Sequence, residues 1–199
     1  MTDKPLIIPE LTEWDMRLMA WHEAGHVVCS YYLPDTEGIL SVSIEPGNDS
    51  FGAMRSAPRK KLNLTYVSCL NDISVAMAGR LSEEIFQKEV TSSCIHDLNK
   101  IQAIAMRMVC ELGMGSRTGL IAWGSHSSDT NGLLLFSEKQ RDDIYADIKE
   151  ILAEAEKMAL QLLESHAQDV QTVANTLLLQ HTLTGETLDD ILDSRKSVE

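Results

Sequence analysis

The stretch that organises the fold is Trp21-His22-Glu23-Ala24-Gly25-His26-Val27-Val28, which contains the pattern H-E-x-x-H. Residues four apart lie one above the other on a helix, so His22 and His26 can present imidazole nitrogens to one metal ion. Glu23 lies about 100° further round the helix, where it can reach a water on that metal and act as a general base. The alternative is a chance match, in which two histidines and a glutamate are simply solvated. The metal hypothesis therefore needs a third ligand.

A candidate for that ligand is Asp97, in a helix predicted over residues 94–112. The apolar stripe of this helix lies four, seven and eleven positions further on, at Ile101, Ile104 and Met108. Asp97 thus lies at the edge of a buried face, where a carboxylate is costly unless it is paired or binds a metal. The nearby cations, Lys100 and Arg107, share another face of the helix with His96. We predict that His96 is solvated. The alternative is that backbone amides at the helix N-terminus satisfy Asp97.

Four cysteines show no C-x-x-C spacing, namely Cys29, Cys69, Cys94 and Cys110. We interpret them as reduced, mostly buried thiols, which predicts a cytoplasmic protein. Cys29 follows His22 by seven residues and lies on nearly the same helix face, so it is also conceivable as a ligand. Its apolar neighbours favour a core position instead.

Length and composition predict a single domain of 199 residues, with 44% apolar and 24% charged residues. We divide it into an N-terminal tail over residues 1–10, a metal-site core over 11–132 and C-terminal helices over 133–195. No apolar run approaches the ~18 residues of a membrane span, so we expect no membrane insertion. A net charge of -13 argues against nucleic acid and anionic lipid as partners. The basic cluster at Arg55, Arg59, Lys60 and Lys61 is interpreted as a solvated loop.

Apolar spacing of three and four residues predicts a mainly helical protein. The predicted helices cover residues 11–33, 62–86 and 94–112, a long segment opened by a capping box at Ser137 to Gln140, residues 168–180, and a short segment capped by Thr184. Alternation in Ile39 to Ile44 predicts a strand, Pro46 to Asp49 a turn, and Phe51 to Met54 a returning strand. Gly52 marks either the close approach of another backbone or a simple bulge.

Taken in order, several motifs resemble the peptidase domain of the FtsH-type ATP-dependent zinc proteases, the M41 peptidases. They run from about Leu11 to Leu192 and comprise His22-Glu23-Ala24-Gly25-His26, Met77-Ala78-Gly79-Arg80-Leu81-Ser82-Glu83-Glu84, Val90-Thr91 through Asp97-Leu98, Glu111-Leu112-Gly113-Met114 and Leu183-Thr184-Gly185-Glu186.

The resemblance implies a helical, zincin-like peptidase domain with a small β element of two or three strands and a C-terminal helical hairpin region. It implies a zinc ion held by His22, His26 and Asp97, with Glu23 as the base. It also implies that a strand borders the substrate groove, where an extended peptide can add as a further strand. The residues of that strand are Phe51, Gly52, Ala53 and Met54.

The sequence also departs from the family pattern. It contains no G-x-x-x-x-G-K-[ST] phosphate loop and no membrane anchor, so we expect a peptidase domain without the family's ATPase module. Ser92-Ser93-Cys94 replaces a turn that usually contains Gly-Ala, and His96 stands beside the aspartate. The strand at residues 51–54 lacks the usual Gly-Tyr pair. These departures concern substrates and partners more than metal binding.

Two functions follow from these residues. The first is a zinc endopeptidase that cleaves unfolded or flexible polypeptides and is ATP-independent by itself, either as a homo-oligomer or with a separate unfoldase. The second is a non-catalytic module that binds peptides or a partner and keeps zinc for structure. Glu23 favours the enzyme, because a structural zinc site needs no base at that position.

Overall fold

The computed structural model describes residues 11–46, 51–59, 63–123 and 136–196. Its helices are α1 (Glu13–Tyr32), α2 (Tyr66–Ser82), α3 (Ile95–Cys110), α4 (Glu138–Ser165), α5 (Ala167–Gln180) and α6 (Gly185–Lys196). A π-helical turn, Glu83–Gln87, extends α2, and a 3-10 turn, Ser92–Cys94, precedes α3. The strands are β1 (Ile39–Pro46), β2 (Phe51–Ser56) and β3 (Thr182–Thr184). The predicted mainly α fold with a small β element is confirmed.

Helix α1 is the central element. Thr12 caps it, because its hydroxyl accepts from the Asp15 amide at 3.2 Å while the Asp15 carboxylate accepts from the Thr12 amide at 2.9 Å. Every residue from Leu18 to Ser30 is buried. A helix buried all round must be enclosed by other elements, and α2, α5 and the sheet supply that cover. The H-E-x-x-H stretch thus lies in the interior.

Helix α2 separates two apolar cores. One face joins the core around α1, the sheet, α5 and α6, and the other joins a core shared with α3 and α4. Helices α1 and α2 cross very closely at Gly25, where a Cβ atom would lie 2.4 Å from the Ala78 carbonyl oxygen. Small residues at this crossing, Gly25 on α1 and Ala78 and Gly79 on α2, let the histidines of α1 lie directly against the backbone of α2.

The sheet has the strand order β2-β1-β3, with both pairs antiparallel. Val42 of β1 pairs with Met54 on one side and with Leu183 on the other. Val42 and Ile44 are buried, as their alternation predicts, and they hold the sheet against α1. Strand β2 therefore forms an edge of the sheet.

Several predicted boundaries moved. Helix α2 begins at Tyr66 rather than at Leu62, because Thr65 and Ser68 form a capping box there. Ser137 and Gln140 form the predicted box at α4, and the Thr184 hydroxyl accepts from the Thr187 amide at the start of α6. Residues 1–10, 47–50, 60–62, 124–135 and 197–199 lie outside the described residues, and with them the tail and most of the predicted Pro46 to Asp49 turn.

The prediction of a wholly solvated basic cluster was wrong for Arg59. Its guanidinium pairs with the carboxylate of Asp72 on α2, and its side chain is only 12% exposed. Arg55 is exposed as predicted, whereas Lys60 and Lys61 lie outside the described residues. The pairing escaped prediction because Asp72 comes next to Arg59 only when α2 folds back beside the loop.

All four cysteines are buried, and none of them forms a disulfide in the described structure. Cys29 is 0% exposed and belongs to the core around α1, so its sulfur packs among apolar side chains as we expected. Among the described residues, no helix is long and apolar enough to cross a bilayer. The cytoplasmic location inferred from the cysteines stays a prediction.

A buried carboxylate ties the segment after α3 to α4. Asp147 is 1% exposed and accepts from the amides of Arg117 and Thr118 at 3.0 and 2.9 Å, and from the Thr118 hydroxyl at 2.8 Å. Burial acts to raise the pKa of Asp147, but these hydrogen bonds outweigh it and lower the pKa to about 2. We call these hydrogen bonds between Asp147 and the residues 117–118 the Asp147 clamp. It was not predicted from the sequence, because its partners come from two distant segments.

Candidate metal centre

Three predicted ligands meet where α1, α2 and α3 converge. The Nε2 atoms of His22 and His26 lie 3.0 Å apart. The Oδ2 atom of Asp97 lies 3.2 Å from the first and 3.3 Å from the second. His22 and His26 occupy one face of α1, and Asp97 reaches them from the first turn of α3. His22 and Asp97 are 75 positions apart in the sequence, so only the tertiary structure brings them into contact.

The other ring nitrogens determine the tautomers. Nδ1 of His26 lies 2.7 Å from the carbonyl oxygen of Val75, which can only accept, so this nitrogen carries a proton. Nδ1 of His22 likewise lies 2.7 Å from the carboxylate of Glu83. In the neutral rings both Nε2 lone pairs then point at each other and at Asp97. These three electron-rich atoms repel one another unless a proton or a metal ion lies between them.

The donor set fits zinc. Two imidazole nitrogens and one carboxylate oxygen are ligands of catalytic zinc sites, which keep a fourth position for water or substrate. Tetrahedral ligands at 2.0–2.1 Å from zinc are separated by roughly 3.3 Å. The three separations here are 3.0, 3.2 and 3.3 Å. His22, His26 and Asp97 are thus spaced as one tetrahedral face would require.

The protonation of these groups follows from their contacts. Burial acts to raise the pKa of Asp97, but hydrogen bonds from His22 and His26 outweigh it and lower the pKa below its ordinary range. Burial acts to lower the pKa of His22, but hydrogen bonds to Asp97 and Glu83 raise it to about 10. Asp97 is therefore a carboxylate directed at the imidazoles, which favours the metal interpretation over a simple helix N-terminal carboxylate.

Glu23 lies beside this cluster and is 6% exposed. Its Oε2 atom is buried and makes no hydrogen bond to any residue that the structure describes. Burial is the main cause that raises the pKa of Glu23, against the smaller opposing effect of His26 and His22. A buried carboxylate oxygen without a partner is costly in stability. Oε2 of Glu23 is therefore a buried carboxylate oxygen whose cost is not offset by any described hydrogen bond.

Glu83 supports the centre from behind. Its carboxylate is 1% exposed and accepts from His22 Nδ1, from the Ser93 hydroxyl at 2.7 Å and from the Thr91 amide at 2.9 Å. Such outer carboxylates fix the orientation of a ligating histidine and raise its basicity. Glu83 lies in one of the motifs that resemble the M41 family, but its sequence context predicted no role for it. The available signal was its spacing, because Glu83 follows Ala76 and Gly79 by seven and four positions and so shares the helix face of these two small residues.

Gly79 makes room for the imidazoles. A Cβ atom at this position would lie 2.5 Å from His26 Nε2 and 2.7 Å from His22 Nε2. The backbone of α2 therefore lies directly against both rings. This close contact explains the Gly79 in the motif, since any side chain there would push the two imidazole rings out of place.

A cavity of about 440 Å³ opens onto the centre. Its walls include Glu23, Asp97 and three of the four predicted substrate-binding residues, Gly52, Ala53 and Met54. Phe51 belongs to β2, but its side chain lies outside what the structure describes. His96 is exposed as predicted and lines the same cavity.

Gly52 approaches Glu23 closely. Its φ angle is +97°, and a Cβ atom here would lie 3.0 Å from Oε1 of Glu23 and 3.4 Å from the carbonyl oxygen of Ser43. Both interpretations of this glycine are supported, because the strand register also shifts between Ser43 and Pro46, opposite Gly52. The nearest neighbour is the Glu23 carboxylate, and the backbone of Ser43 on the paired strand comes next.

The mainly helical fold thus brings His22 and His26 of the H-E-x-x-H stretch together with Asp97 in a candidate metal centre. The family model of peptidase family M41 matches residues 10–191, and the chain belongs to that family. It is 33% identical over 190 residues to the ATP-dependent zinc metalloprotease FtsH 3 of Petrotoga mobilis. This match covers 92% of this chain and 30% of the relative. It is 30% identical over 186 residues to the mitochondrial inner membrane m-AAA protease component YTA10 of Saccharomyces cerevisiae, covering 93% of this chain and 24% of the relative. The chain therefore spans about a third or less of these relatives.

Proposed function

We propose that this protein is a zinc-dependent endopeptidase in which His22, His26 and Asp97 hold the metal and Glu23 is the general base. The observation that carries the proposal is the buried Oε2 atom of Glu23, which has no partner in the described structure and lies beside three converging ligand atoms. A structural zinc site needs no such group, and keeping it buried costs stability.

A zinc ion at such a site supplies Lewis-acid chemistry, polarising the scissile carbonyl and acidifying water. Glu23 Oε2 accepts the proton of the attacking water as the new C–O bond forms. The same carboxyl then gives that proton to the leaving amine as the C–N bond breaks. Burial supports this role, because it raises the pKa of Glu23 towards the pH at which the group must both accept and donate.

The proposed substrate is an extended segment of polypeptide. Strand β2 forms an edge of the sheet, and Gly52 to Met54 line the cavity beside Glu23. An extended peptide can pair with such an edge through main-chain hydrogen bonds, which places a peptide bond in the cavity. Folded proteins cannot offer that conformation without first opening locally.

We further propose that cleavage of unfolded chains, flexible loops and short peptides needs no nucleotide. Every residue assigned to the chemistry lies within residues 22–97, and the proposed proton transfers do not involve a nucleotide. The FtsH 3 relative is named ATP-dependent, so an unfoldase, in the same chain or separate, is expected to matter for folded substrates alone. We also propose that copies of this chain assemble into a homo-oligomer.

The test compares the wild type with Glu23→Gln after zinc loading. The substitution preserves shape and removes the base, so we expect one bound zinc per chain in both proteins and a loss of peptide hydrolysis on the order of 10²–10⁴-fold. Equal hydrolysis by both would place the base elsewhere. Zinc binding with no hydrolysis by either, across a panel of unfolded peptides, would instead support the non-catalytic module.

A further inference from the structure

A second cavity of about 420 Å³ lies at the start of α1. We call it the Trp14 groove. Its apolar walls are Leu11, Trp14 and Leu18 of the α1 end and Val90 of the segment before α3. Nothing in the proposed chemistry uses this groove.

The groove is continuous with the metal cavity. Met19, Ser92 and Ser93 line both, so the two cavities share a boundary rather than lying on separate faces. The centre and the groove are also held by the same segment, because Ser93 donates to Glu83, which in turn accepts from His22. A polypeptide leaving the metal cavity on this side would enter the groove directly.

The groove exposes large apolar side chains to solvent. Trp14 is 56% exposed and Val90 is 46% exposed, in a chain with only 5% aromatic residues. Exposed tryptophans beside smaller apolar residues are typical of binding sites, because the indole buries a large area with little loss of conformational freedom. Leu18 is 5% exposed and forms the floor.

The charges at the rim restrict the ligand. Asp15 and Glu89 line the groove, and no lysine or arginine does so among the described residues. An acidic segment would be repelled there, whereas a large apolar side chain next to a lysine or arginine would be attracted. Since Leu11, Trp14 and Val90 supply the apolar contacts, the matching element is one bulky side chain of an extended peptide.

We propose that the Trp14 groove is a distal substrate subsite that holds a large apolar or aromatic side chain of the bound polypeptide, with a preference for a neighbouring cationic residue. The proposal rests on the proposed peptidase function, because it assumes that a peptide occupies the metal cavity. It adds a specificity determinant away from the scissile bond.

The test measures binding rather than turnover, using zinc-loaded Glu23→Gln, which should not cut its ligand. Fluorescently labelled peptides carry one phenylalanine at successive positions of an otherwise alanine- and serine-based chain. We expect a phenylalanine at one distal position to tighten binding about tenfold over alanine, and Trp14→Ala in the same background to abolish that gain. Leu179→Ala is the matched control, since Leu179 is 84% exposed on α5, and it should preserve the gain.

The charge preference gives a second, independent arm. A lysine beside the distal phenylalanine should bind more tightly than a glutamate there, and Glu89→Lys should reverse that order. A gain from phenylalanine that survives Trp14→Ala, or a Trp14-dependent dimer in sedimentation that excludes peptide, would overturn the subsite. Absence of hydrolysis by the wild type, with Trp14-dependent binding intact, would overturn the peptidase and leave the subsite standing.

Discussion

Nδ1 of His22 lies 2.7 Å from Oε1 of Glu83, although the two residues are 61 positions apart in the sequence. The contact joins a candidate metal ligand on α1 to the π-helical turn that ends α2. Burial acts to raise the pKa of Glu83, but the hydrogen bonds from His22 and Ser93 outweigh it and lower the pKa. The Glu83 carboxylate therefore fixes the orientation of the His22 imidazole, whose Nε2 atom then faces the candidate metal position beside Asp97.

We expect removal of this carboxylate to weaken zinc binding without unfolding the protein. Loss of such an outer partner typically costs about 10–100-fold in metal affinity. Glu83→Gln still accepts a hydrogen bond and should lie at the lower end, whereas Glu83→Ala should lie at the upper end. Competition against a chromophoric chelator measures the affinity. Glu84→Gln is the control, because Glu84 is exposed next door, and equal affinity in all four proteins would contradict the role of Glu83.

Asp97→Ala should lose tight zinc binding, since it removes the only carboxylate of the three-ligand cluster. His96→Ala should retain it, because His96 is exposed one position away and is not part of that cluster. Metal analysis after dialysis against a weak chelator compares the two variants with the wild type. The opposite result, with zinc kept by Asp97→Ala and lost by His96→Ala, would show that the ligand assignment is wrong.

Gly52→Ala should reduce peptide hydrolysis on the order of 10²-fold while leaving zinc bound. The new Cβ atom would lie 3.0 Å from the Glu23 carboxylate and would displace the base, and small displacements of catalytic groups cost about that much. Gly119→Ala is the matched control. Its φ of +67° imposes similar backbone strain, but a Cβ atom there would meet nothing within 4 Å. If both variants lost activity equally, backbone strain rather than contact with Glu23 would be the cause.

The Asp147 clamp predicts a specific loss of stability in acid. The folded-state pKa of about 2 lies below the ordinary value, so the carboxylate stabilises the fold above pH ~4 and loses that contribution as the pH falls towards 2. Asp147→Asn should lower the free energy of unfolding by about 2 kcal/mol at pH 7. Denaturant unfolding across this pH range should show the difference from the wild type shrinking below pH ~4. Asp142→Asn, at an exposed position of the same helix, should change little at any pH.

Folded substrates should resist cleavage. Local opening costs from about zero at frayed ends up to ~5–15 kcal/mol in a core, and the proposed chemistry supplies none of it. We expect rapid cutting of an unfolded peptide, slower cutting of a destabilised mutant protein and very slow cutting of its stable parent, all without response to ATP. Time courses with and without ATP measure this. Equal rates for the stable and destabilised forms, or stimulation of the purified chain by ATP, would count against the proposal.

The local sequence was sufficient to predict the helices and to indicate a candidate metal site. The four-residue spacing of His22 and His26 places both on one helix face whatever surrounds it, because that spacing is set by the helical repeat. The capping residues at Thr184 and Ser137 were likewise readable, since a cap bonds to amides only a few positions away. The start of α2 was placed too early because apolar periodicity extended past the Thr65 cap.

Only the tertiary structure decided which groups surround the metal position. The spacing of residues in the sequence determined that two imidazoles share a face and that Asp97 lies at the edge of a buried stripe. It did not determine that Glu83 stands behind His22, that Gly52 approaches Glu23, or that Arg59 pairs with Asp72. Hydrogen bonds and ion pairs act over a few ångströms, and chain separation carries no record of which distant backbone the packed helices bring within that range.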